Sequence, residues 1–164
     1  NRAIGLLAHE AGVSADQVKQ MVIWGNHSDT QVPDISFTTI GDEKAMAILP
    51  PRYYEETFVP AIRNRGKQII EARKFSSAPS AAHAAIDHMR DWLFGTNGNW
   101  VSMAVHSNGQ YGTPPGVFFS FPCIVKGNGE YEIVSGLQIA PEIQVGIDLS
   151  GKELEKERAT VSTL

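Results

Sequence analysis

The hydrophobic period of this chain switches at Asn97-Gly98 from two long helices to a run of strands, and that switch rules out most of the architectures open to 164 residues. Before it, apolar side chains recur at helical spacing. Phe58, Ile62, Ile69 and Ile70 mark one helix over 53–74, and Ala82, Ile86, Met89 and Leu93 mark a second over 79–94. After it, Val101, Met103 and Val105 alternate with Trp100, Ser102 and Ala104, which is the period of a strand. Val117–Val125 continues as a second strand, Gly127-Asn128-Gly129 reads as a hairpin turn, and Tyr131–Val134 supplies a third strand. Strands that follow one another through tight turns pair antiparallel. The predicted class is therefore α+β, with long helices packed on an antiparallel sheet.

The flanks fit this plan. Ala3–Ala11 reads as a helix with Ile4, Leu7 and Ala11 on one face and Gly12 as its stop. Ser14 with Gln17 resembles a capping pair. Met21–Trp24 is a short strand, and Val32–Ile40 a further strand that Pro33 would place at an edge. Pro60, inside the first long helix, predicts a kink or a split. Gly95 is a natural cap for the second. Pro141 opens a segment that becomes a terminal helix over Ser150–Val161. The whole chain, 1–164, reads as one domain. Its opening, Asn1-Arg2-Ala3, looks like the interior of a longer helix, so upstream residues are expected.

Bulk properties remove several function classes. A net charge of −4 without a run of like charge argues against a nucleic-acid or acidic-membrane partner. No apolar stretch approaches the ~18 residues of a membrane span. Cys123 is the only cysteine, so no internal disulfide forms; in the apolar run Phe118–Val125 it reads as a buried, reduced thiol. Gly127-Asn128-Gly129 is not a dinucleotide fingerprint, since the third glycine and the following helix are missing. His83, Asp87 and His88 lie within two turns of one helix, but further ligands are lacking, and no metal site is expected.

Three places remain where chemistry could sit. His27 follows the tip of a strand and could act as a general acid or base, or simply bond a loop carbonyl. Arg2 could hold a carboxylate through two parallel bonds, or be a surface helix residue. Ser76 and Ser77 could donate to a substrate, though capping the helix before Pro79 is the plainer role.

The segment Trp24-Gly25-Asn26-His27-Ser28-Asp29-Thr30-Gln31-Val32-Pro33-Asp34 resembles the active-site segment of malate dehydrogenases of the cytosolic and chloroplast branch. Phe75-Ser76-Ser77-Ala78-Pro79-Ser80-Ala81-Ala82, Asp91-Trp92-Leu93-Phe94-Gly95-Thr96 and Trp100-Val101-Ser102-Met103-Ala104-Val105 are similar to further signatures of that family. So are Tyr111-Gly112 and Phe119-Ser120-Phe121-Pro122, all in family order. The resemblance implies the C-terminal, substrate-binding domain of a lactate/malate dehydrogenase, without its Rossmann domain. It implies His27 as the proton donor and acceptor between malate and oxaloacetate, and Arg2 as the residue that holds the substrate carboxylate. Ser77, with Ser76 and Asn26, would line the substrate site, and His27 and Asn26 would lie near the nicotinamide. The implied cofactor is NAD, with NADP as the alternative. The implied setting is a cytoplasmic homodimer, completed by an N-terminal nucleotide-binding domain and serving the tricarboxylic acid cycle. The aspartate that pairs with the histidine would fall before Asn1, so these 164 residues alone are expected to be inactive. Two other readings stay open: another 2-hydroxyacid dehydrogenase, such as lactate dehydrogenase, and a free-standing, non-catalytic dimerisation or binding lobe.

Overall fold

The computed structural model describes residues 1–76 and 78–162. The chain opens with helix α1 (Arg2–Ala11), which buries Ala3, Leu7 and Ala8. It stops at Gly12, where a φ of 69° turns the backbone left-handed and lets the cap N–H reach the carbonyls of Ala8 and His9. Ser14 caps the short turn over 15–17 through its backbone carbonyl, which accepts from the Gln17 N–H at 3.1 Å; its hydroxyl makes no cap bond and donates to the Asp16 carboxylate instead.

Short strands follow: β1 (Val18–Lys19), β2 (Val22–Trp24), β3 (Val32–Asp34), β4 (Thr39–Ile40) and β5 (Glu43–Lys44), then the short helix α2 (Ala45–Ile48). The expected single strand over Val32–Ile40 is thus split in two. The cause is Asp34. Its carboxylate accepts from the backbone N–H of Ser36 and from the Trp24 indole, each at 2.9 Å, and this bends the chain away from the ladder.

Pro33 sits opposite Ile23 in the β2–β3 pair. Both polar backbone groups of Ile23 are satisfied by serines of the larger sheet: its N–H donates to Ser102 Oγ at 2.9 Å, and its carbonyl accepts from Ser120 Oγ at 2.7 Å. A proline, which has no N–H to offer, is tolerated opposite such a residue.

The long helix breaks where Pro60 predicts. Residues Tyr54–Phe58 form a π-helical turn, and α3 (Val59–Arg73) starts with Pro60 in its first turn, where the missing N–H does no harm. Helix α4 (Ala78–Phe94) is followed by the principal sheet of β6 (Val101–His106), β7 (Phe118–Gly127) and β8 (Glu130–Ile133), antiparallel in that order. The β7–β8 hairpin turns on Asn128 and Gly129, both at positive φ, as a two-residue loop of this kind requires. The same turn finishes α4, because the amides of Asn128 and Gly129 donate to the carbonyls of Leu93 and Trp92.

Helix α5 runs from Pro141 to Val161, nine residues earlier than the expected start at Ser150. Pro141 is its first residue, the position where a fixed φ and a missing N–H suit a helix. A β-carbon on Gly146 would lie 2.6 Å from Val32 Cγ2, so glycine is what lets α5 approach β3.

Two cores result. One gathers α1 with Ala45, Phe58 and Ile62; the other gathers Trp24 with β6, β7, Ile143 and Ile147. Helix α4 differs from the expectation in one respect. Its stripe remains open, with Ile86 67% and Met89 52% exposed, while its C-terminal end, at Trp92 and Leu93, is bonded to the turn after β7.

Candidate functional site

His27 is exposed on the loop between β2 and β3. The loop starts at Gly25, and two features demand glycine there. Its φ is +96°, and a β-carbon would stand 2.4 Å from Ser150 Oγ. Gly25 exchanges both backbone bonds with Ser120 of β7, at 3.3 and 3.1 Å. The loop is then fixed by α5. Asn26 N–H donates to the buried Ser150 Oγ at 2.7 Å, and the Ser150 hydroxyl in turn donates to Thr30 Oγ1 at 3.0 Å. Ser28 and Thr30 hydroxyls each donate to Glu153 Oε2 at 2.6 Å. The Asn26 amide nitrogen donates to Glu153 at 3.2 Å and to Glu157 at 2.9 Å. Both of its hydrogens are therefore engaged, and the donor half of the side chain read as a ligand contact is committed to α5. Sequence reasoning missed Ser150, Glu153 and Glu157 entirely; only their acidic and hydroxyl character on one face of a terminal helix hinted at a partner.

Arg2 opens α1 and is also exposed. Its guanidinium is held below its ordinary pKa, first by partial desolvation and then by the positive charge of Arg65 on α3. Among the described residues no carboxylate lies within ion-pair distance of Arg2 or His27. Helix α3 reaches towards both candidates: Arg63 Nε donates to the carbonyl of Gln31, just after the His27 loop, while Arg65 faces Arg2. Ser76 is exposed ahead of α4, and Ser77 lies outside the described residues. Neither of the cavities found, about 850 and 570 Å³, includes His27 or Arg2 in its lining. The surface that carries them is open.

Other groups are poorly placed for proton transfer. Tyr54 donates its hydroxyl to the Pro33 carbonyl at 2.6 Å, and burial, followed by the charge of Asp34, pushes it up to about 12. Cys123 faces the second core on β7, and burial pushes its thiol up to about 12. At pH 8 only about one thiol in ten thousand would then be ionised. Iodoacetamide is accordingly expected to leave Cys123 unmodified in the folded protein and to label it fully in guanidinium chloride, as read by intact mass; rapid native labelling would contradict the burial. His83 and Asp87 pair at 3.4 Å on the surface of α4, where Asp87 also accepts from Asn1. Among the described residues no group of three or more His, Cys, Asp or Glu is gathered to hold a metal.

Residues 1–163 match the model of the lactate/malate dehydrogenase alpha/beta C-terminal domain. The chain belongs to the lactate/malate dehydrogenase family. The chain of this lactate/malate dehydrogenase domain is 48% identical over 162 residues to a malate dehydrogenase of Corynebacterium jeikeium, covering 98% of itself and 49% of that protein. Its fold matches the crystal structure of Naegleria fowleri malate dehydrogenase with a TM-score of 0.92 at 40% identity, covering 99% of this chain and 50% of that one. It matches Trichomonas vaginalis lactate dehydrogenase, in complex with NADH and oxamate, equally well by shape. The TM-score there is 0.92 at 35% identity, covering 100% of this chain and 53% of that one. The family domain thus spans about half the length of the relatives it matches.

Proposed function

We propose that this chain is the C-terminal, substrate-binding domain of a malate dehydrogenase of the cytosolic and chloroplast type, acting on malate and oxaloacetate. The observation that carries the reading is the presentation of His27. An exposed imidazole stands on a loop whose backbone is pinned on both sides, by β7 at Gly25 and by α5 at Asn26, Ser28 and Thr30. Such a group can transfer a proton without the scaffold reorganising.

In this reading protonated His27 donates to the carbonyl oxygen of oxaloacetate as negative charge grows there, and takes the proton back from the hydroxyl of malate. Arg2, with no carboxylate within ion-pair distance among the described residues, clamps a substrate carboxylate through two parallel bonds and so aims the reacting carbon. Ser76 and Ser77 border the same substrate, with Asn26 beside His27. A nicotinamide cofactor, when bound, supplies or accepts the hydride. The fit to that group is partial. The open surface around His27 leaves room for a flat ring, but this chain has no glycine-rich loop to hold a pyrophosphate, so the phosphates belong to an N-terminal nucleotide-binding domain. NAD is the proposed form, by analogy with the NADH-bound relative. The uncovered stripe of Ile86, Met89 and Leu93 calls for apolar cover, which that domain and a second copy of the protein would provide.

One observation keeps a second reading in play: lactate dehydrogenase from Trichomonas vaginalis fits the fold as closely as malate dehydrogenase from Naegleria fowleri. The test is a substrate panel on the complete protein. We expect kcat/KM for oxaloacetate to exceed that for pyruvate by about a hundredfold or more, because a site built around a second carboxylate leaves its cation unpaired with pyruvate. The 164-residue chain by itself is expected to show no turnover. Preference for pyruvate would make the protein a lactate dehydrogenase, and no turnover of either by the complete protein would leave a binding lobe.

A further inference from the structure

The contacts of Glu153 go further than holding a helix to a loop. We propose that Glu153 is a positioning residue for His27, fixing the imidazole's place through the loop on either side of it. The inference rests on the reading of His27 as the proton donor given above.

Three donors converge on this one carboxylate. Ser28 and Thr30 hydroxyls meet Oε2 at 2.6 Å, and the Asn26 amide reaches it at 3.2 Å. These residues flank His27 on both sides in sequence, so the loop cannot rotate about its tip without breaking at least one bond. Bonds to an ionised acceptor are shorter and stronger than neutral ones, and these distances are of that kind. The carboxyl is held below its usual range, first by Ser28, then by Thr30, with Asn26 contributing less. It therefore stays ionised, and keeps all three donors, throughout the neutral range.

A second anchor backs it one turn earlier on α5. Ser150, fully buried, accepts from the Asn26 N–H and donates to Thr30 Oγ1, and it packs where only a glycine at position 25 leaves room. Isolated ion pairs on a surface hold little. A carboxylate that accepts from three residues of one seven-residue loop is different, because loss of the acceptor removes one bond from each of the three at once and leaves α5 holding the loop only through Ser150 and Glu157. The helix that ends the chain thus sets the geometry of a residue more than a hundred positions earlier.

The experiment uses the complete protein and begins with His27→Asn. A variant that kept its rate would defeat the functional reading itself. With His27→Asn inactive, Glu153→Ala is expected to lower kcat for oxaloacetate reduction by about ten- to a hundredfold, the effect of a reacting group displaced by around an ångström. Its KM for cofactor should not change, and its melting temperature should stay within about 2 °C of wild type, as for a half-exposed side chain. Glu153→Gln, which keeps length and one acceptor oxygen, should recover part of the rate. The double variant Ser28→Ala/Glu153→Ala should be no slower than Glu153→Ala, since both changes cut the same bond. Wild-type kcat in Glu153→Ala would overturn the proposal while leaving His27 in its role. Should Glu153→Ala fail to fold, Ser28→Ala decides: a lower kcat at an unchanged melting temperature supports the proposal, and an unchanged kcat overturns it.

Discussion

In the complete protein, His27→Asn is expected to lower kcat for oxaloacetate reduction by about a thousandfold, within the 10²–10⁴ range of a positioned acid or base. Asparagine approximates the size and hydrogen-bonding reach of imidazole but cannot release a proton. The variant would still donate to the substrate carbonyl, so binding should survive while the step that moves the proton is lost. The loop itself should not change. Its bonds run through Asn26, Ser28 and Thr30, not through the His27 side chain. A single-turnover measurement with saturating cofactor reads the effect directly, and an unchanged melting temperature and unchanged oxaloacetate affinity would complete the expected pattern. Loss of affinity with an intact rate would mean that His27 binds substrate and does not transfer its proton.

Much of this molecule was legible where a single residue type dictates the backbone. Gly12 and Gly95 end their helices at positive φ, and Asn128-Gly129 makes the hairpin, because these conformations are costly for most other residues. Pro60 breaks the long helix for an equally local reason. Legibility ended where the deciding partner is remote. Nothing near Val32–Ile40 shows that Asp34 will be captured by Trp24 and Ser36, and so the expected strand divides. The apolar stripe on α4 correctly marked a helix, but periodicity cannot say whether the stripe meets this chain or something else. The site divides in the same way. His27 stands out as a histidine after a strand tip, with small polar neighbours, and its motif resembles that of a known family. Its supports, Glu153 and Glu157, lie 127 and 131 residues from Asn26, and no local pattern predicts them.

Trp24→Ala should be the most damaging single change to the fold, costing about 3–5 kcal/mol from the lost side chain alone. Trp24 is fully buried at the end of β2. Its ring meets Tyr111 edge-on at 5.0 Å between centroids and Phe121 at 6.3 Å, so the vacated space is walled by rigid rings that cannot collapse into it. Its indole N–H is also the partner of the Asp34 carboxylate at 2.9 Å, and Asp34 is only 1% exposed. Removing that donor leaves the acid with Ser36 N–H alone, a further cost of about 1–3 kcal/mol if the carboxylate stays buried. Trp24→Phe separates the two effects, since it keeps most of the ring and loses the donor. For a domain of this size each kcal/mol shifts melting by roughly 2–4 °C, so Trp24→Ala is expected to melt at least about 6 °C below wild type, with Trp24→Phe between them. The consequence reaches the site, because Gly25 and the His27 loop begin at the next residue. A Trp24→Ala protein that melted like wild type would show that β2 is not what anchors that loop to the core.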